Sequence, residues 1–160
     1  MYRQEALETA RRLFEMARGF RTTGEEVAPM AFFFVPQPEG LGAFAVPMSN
    51  APSKDFAAAF IRQTARESGA EYVYHVTEAW SLPPDLSNEQ QALAISYMQA
   101  GGSLSELPFS VEVIFATIDG SDLNAHFSAV INDDGSIGET QELLNVEAEG
   151  RFCNFTKEEE

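Results

Sequence analysis

The chain has one cysteine, Cys153, so no disulfide can form within it and no CxxC metal or redox motif exists. Such sparing use of cysteine fits a reducing, cytoplasmic compartment. Only two histidines occur, His75 and His126. There is no HExxH or HxH pattern, P-loop, dinucleotide-binding glycine fingerprint or G-x-S-x-G elbow. No apolar run approaches the 18 or more residues that a membrane span needs, and the charged start MYRQEALETARR does not read as a signal peptide. Basic residues are missing from Glu67 through Gly150, a stretch that holds 15 acidic ones. A field of that sign repels phosphate, which argues against direct nucleic-acid binding and against anionic membranes.

What is present points to a packed domain. The net charge is -15, yet 44% of the 160 residues are hydrophobic and 13 are Phe. A chain of this length hides roughly 70% of its extended surface on folding, enough for one core. We expect a single α+β domain over residues 1–155, with the acidic tail 156–160 frayed by charge repulsion. Five arginines fall within the first 21 residues, against three glutamates.

Apolar residues at three- and four-residue spacing predict a helix over 3–18, with Gly19 as its stop. Val27–Pro36 and Leu41–Met48 read as a hairpin; Pro47 places the second strand at an edge or ends it early. A helix capped by Asn50 or Ser53 should run to Ser68, presenting Phe56, Phe60, Ile61 and Ala65, and end at Gly69. Glu71–Trp80 is an aromatic and β-branched strand. Ser87-Asn88-Glu89-Gln90 has capping-box spacing and predicts a short helix over 88–99 without a clean apolar stripe. Strands over Phe109–Ile118 and Leu123–Ile131 surround the turn Asp119–Asp122. For that hairpin, Val111, Val113 and Phe115 opposite Ile131, Ala129 and Phe127 would make one wholly apolar face. Weaker strands are expected near Ser136–Gln141 and Phe152–Phe155. The order implies a two-layer sandwich, a mainly antiparallel sheet with helices packed on one face.

Few residues invite chemistry. Glu78 and Glu112 could form a general acid/base pair if their strands neighbour. His75 and His126 could approach each other, with either glutamate completing a metal site, although nothing in the spacing requires a metal. Asp133-Asp134-Gly135-Ser136 lacks the full calcium-loop pattern and reads as a turn. Cys153, between Phe152 and Asn154, reads as an inert thiol. Asn154-Phe155-Thr156 matches a glycosylation site, which carries no weight without a secretion signal. Trp80, the only tryptophan, ends a strand and could anchor an interface together with Tyr72 and Tyr74.

Thr77-Glu78-Ala79-Trp80, followed by a loop and the proline-led strand Phe109-Ser110-Val111-Glu112-Val113, resembles small uncharacterised bacterial and phage proteins. The resemblance covers two short segments and implies no activity. We therefore expect a non-enzymatic accessory or protein-interaction module without cofactor. It would pair with itself as a homodimer or with a basic protein. The alternatives are a small carboxylate-using enzyme or ligand-binding domain, and an acidic DNA mimic.

Overall fold

The computed structural model describes residues 2–83 and 85–145. The elements run α1 (Arg3–Arg21), β1 (Met30–Gln37), β2 (Gly40–Pro47), α2 (Lys54–Ser68), β3 (Tyr72–Ser81), α3 (Asn88–Gln99), a 3-10 turn (Leu104–Glu106), β4 (Val111–Gly120), β5 (Asn124–Ile131) and β6 (Gln141–Leu144). The strands form one sheet in the order β2-β1-β3-β4-β5-β6, antiparallel at every pairing. This is an α+β fold, a sheet with helices packed against it. The strand expected over Phe152–Phe155, Cys153 and the tail lie outside the described residues.

α1 covers most of one sheet face. Its buried Ala6, Leu7, Ala10 and Phe14 meet Tyr74, Ile114, Ala116 and Phe127, and the Phe14 and Phe127 rings stack at 5.5 Å. Full burial of side chains this large stabilises the fold by roughly 1.5–3 kcal/mol each. The helix continues past Gly19 to Arg21, so that glycine is internal rather than the stop. α2 takes the reverse face of β1 and β3, packing on Ala31, Phe33 and Val73. The helices thus divide the sheet, and a single helical face describes α1 alone. β1 is accordingly buried on both sides, with Phe33 toward α2 and Phe34 toward α1.

α2 is capped by the Ser53 hydroxyl, which accepts from the Phe56 N–H, and closes on Gly69 at φ 72°. Its inward stripe is Ala57, Ala58, Ile61 and Ala65; Phe56 and Phe60, expected inside, are exposed. β2 is an edge strand and ends at Pro47, as the missing N–H requires. α3 starts with the expected capping box of Ser87 and Gln90, and Ala94 is its only buried residue.

The β4–β5 hairpin takes a register one residue away from the expected one, which exchanges its faces. Ile114, Ala116 and Ile118 stand opposite Ala129, Phe127 and Ala125 beneath α1, while Val113 and Phe115 point the other way with Val130 and Ser128. The turn sets this register. Gly120 donates to Leu123 O at 2.8 Å, so Ser121-Asp122 alone forms the loop and Asp119 stays in the strand. Glycine is needed there, since a Cβ on Gly120 would lie 2.5 Å from Glu71 O and from the Tyr72 ring. β6 falls slightly later than the strand expected near Ser136–Gln141, and one bridge from Ile137 to Ile131 precedes it.

Candidate functional site

Side chains alternate across a strand, and direct cross-strand partners share a face. The β3–β4 and β4–β5 registers pair Thr117 with both His75 and His126. The two histidines therefore flank Thr117 in one row across three strands, on the face away from α1. Two strand spacings put their backbones roughly 10 Å apart. His75, Thr117 and Asp119 are the buried polar residues of the described structure, each 3% exposed, and all three belong to this face. Along β4 the neighbouring Ala116 and Ile118 enter the apolar core on the opposite face.

This row floors a cavity of about 720 Å³. His75, Thr77, Phe115, Thr117 and His126 rise from the sheet. α2 and the segment before it supply Met48, Ala51, Lys54 and Ala57, and the 3-10 turn adds Leu104. The space follows from the helix sequence: α2 turns alanines toward the sheet and its phenylalanines outward. Burial lowers the His75 pKa to about 4 and also depresses that of His126, so both rings are neutral at pH 7. The His126 ring meets Phe115 edge-on at 5.6 Å.

Glu78 and Glu112 are brought together, but on the opposite sheet face from the histidines. The expectation that either could complete a metal site with His75 and His126 is therefore corrected by strand parity. Among the described residues, no three His, Asp, Glu or Cys side chains are placed to share a metal ion. Glu78 is 7% exposed at its side chain, pairs with Arg21 at 3.2 Å and accepts the Val27 N–H. Glu112 lies within hydrogen-bonding reach of Glu78. Burial first, then that contact and the repulsion between the two carboxylates, raises the Glu112 pKa. Glu112 is thus the carboxylate of the pair whose charged form the site disfavours.

No family model matches the chain, and no curated protein or solved structure matches it.

Trp80 is 46% exposed and borders the cavity at the end of the sheet. Tyr72 and Tyr74, expected beside it at an interface, are instead core residues. Both are buried, and the Tyr72 hydroxyl donates to Asp122 Oδ1 at 2.7 Å. Asp134 accepts from the Ser136 N–H and hydroxyl, closing an ordinary turn. Sequence reading missed Thr117, Asp119, Lys54 and Arg21. A signal for the first two was available, because Thr117 and Asp119 alternate with Ala116 and Ile118 along a strand otherwise rich in apolar residues.

Proposed function

We propose that this protein is a non-enzymatic, cytoplasmic binding module of bacterial or phage origin, and that its cavity receives a small molecule. One observation carries the proposal: buried His75 and Thr117 present polar groups on the floor of a cavity whose walls are largely apolar. Ligand pockets need this combination, with apolar walls for affinity and a few convergent polar groups for orientation. The volume also falls within the range of roughly 300–1,000 Å³ typical of such sites.

The test is a fragment library screened by two-dimensional 1H–15N NMR on the full chain. Binders are expected to move the His75, Thr117 and His126 resonances and to change Trp80 fluorescence. A cavity-filling Ala57→Phe variant that remains folded should lose both responses. A library that moves none of these residues overturns the proposal.

A second reading, contact with another protein copy or a basic partner, is supported by α3. Its Leu93, Ile95 and Met98 are all about half exposed. Charge complementarity between copies through α1 has less support, because Arg11 and Arg21 already pair within the chain with Glu142 and Glu78. Sedimentation across a concentration series separates the cases. A monomer mass at high micromolar concentration removes the homodimer.

A further inference from the structure

Charge around the cavity runs against the charge of the chain. The protein carries 25 Asp and Glu, yet among the described residues Glu78 is the only one of them that borders this space. Its carboxylate is engaged by Arg21 and the Val27 N–H, at the sheet face that α1 covers. The other formally charged side chain of the lining is Lys54, exposed at the rim where α2 begins. A surface meant only to keep an acidic protein hydrated has no reason to be poor in carboxylates around such a hollow. The floor offers hydrogen-bonding groups from His75, Thr117 and His126, and the apolar walls come from Met48, Leu104 and Phe115.

We infer that the cavity takes a monocarboxylate with an apolar body, its negative charge held at Lys54 and its body against Met48, Leu104 and Phe115. This rests on the small-molecule reading above and adds the sign and number of the ligand's charges. A cationic ligand would meet Lys54 and find the carboxylate of Glu78 already paired. A dianion would find one ammonium and neutral imidazoles, leaving its second charge without a partner while it lost hydration. A single carboxylate matches one ammonium. The His126 imidazole adds a neutral hydrogen-bonding group to the floor. Lys54 adds a charge-assisted hydrogen bond, a kind roughly twice as strong as a neutral one.

The experiment uses three probes of one chain length: octanoate, 1-octanol and octylamine. Each is titrated into the full protein at pH 7 and followed by 1H–15N NMR at the lining residues. Octanoate is expected to bind about tenfold more tightly than octanol, and octylamine more weakly than either. Lys54→Met, at an exposed position where folding is not at stake, should reduce octanoate binding about tenfold and leave octanol unchanged. Octanol binding equal to octanoate, or octylamine binding best, overturns the charge inference while the small-molecule reading stands. Failure of all three probes to move any lining resonance overturns the inference. Whether the small-molecule reading falls with it is decided by the fragment screen. Octanoate binding that survives Lys54→Met intact also overturns the assignment of the anion to that residue.

Discussion

Arg21, the last residue of α1, lies 3.2 Å from Glu78 of β3, and both side chains are largely buried. The pair pins the helix end to the sheet, with the Val27 N–H as a second donor to the same carboxylate. Arg21→Met removes the cation and leaves a buried carboxylate, a change that should cost about 2–4 kcal/mol in urea unfolding at pH 7. Arg21→Lys, which keeps the charge, should cost less than Arg21→Met in the same measurement. An equal loss in the two variants would show that the fit of the guanidinium and its packing, rather than the charge alone, matters.

Glu112 provides a pH signal of opposite direction to the usual carboxylate. Its pKa is raised in the folded protein, so its favourable contribution is fully present below the ordinary value of 4.5 and is lost as pH rises. Glu112→Gln should therefore stabilise the protein at pH 7, by up to about 1 kcal/mol for so accessible a group. Near pH 4 the variant and the parent should unfold at similar urea concentrations. Destabilisation at neutral pH would contradict the burial of Glu112 and its repulsion by Glu78.

His75 acts in the reverse sense. Its folded pKa is held down to about 4 by burial, against 6.5 for a free imidazole. Below pH 6.5 the unfolded chain takes up a proton that the native ring refuses. Stability contributed by the neutral ring is thus present above 6.5 and lost as pH falls toward 4, with a total on the order of 3 kcal/mol. His126, shifted the same way, adds to the fall. His75→Gln should flatten this part of the stability curve, measured by thermal unfolding from pH 8 down to about pH 4. An unchanged slope would place the ring in water.

Unequal burial predicts unequal costs for similar phenylalanine substitutions. Phe127→Ala and Phe14→Ala each remove a ring from the stacked pair under α1 and should cost about 3–5 kcal/mol. Phe56→Ala, on the outer side of α2, should fall within about 0.5 kcal/mol of the parent. Chemical denaturation of the three variants checks the assignment. A large loss at Phe56 would mean that another surface covers it.

Local chemistry made several elements legible in the chain alone. The Ser87–Gln90 capping box starts α3, Gly69 closes α2 in the left-handed region, and Pro47 ends an edge strand. Each depends on a few neighbouring residues whose hydrogen-bonding or φ preference holds in any context. β3 was equally readable as a strand, because aromatic and β-branched side chains suit a pleated surface.

Choices between near-equal partners were not readable. Phe56 and Phe60 lie one residue before Ala57 and Ile61 on α2, so helical spacing permits either stripe to face inward. Close packing over Phe33 and Val73 selected the smaller one and left the cavity beside it. In the β4–β5 hairpin both registers offer apolar pairs, and the tight turn at Gly120 against Tyr72 decided between them. That one-residue difference paired His126 with Thr117 and set Glu112 on the other face from it, whereas Glu78 stands opposite His75 by parity within β3 alone. Composition and periodicity determined an acidic chain of helices and antiparallel strands, since those depend on residues close in sequence. Only tertiary packing decided which side chains meet, because the contacts that select a face or a register join residues far apart in the chain.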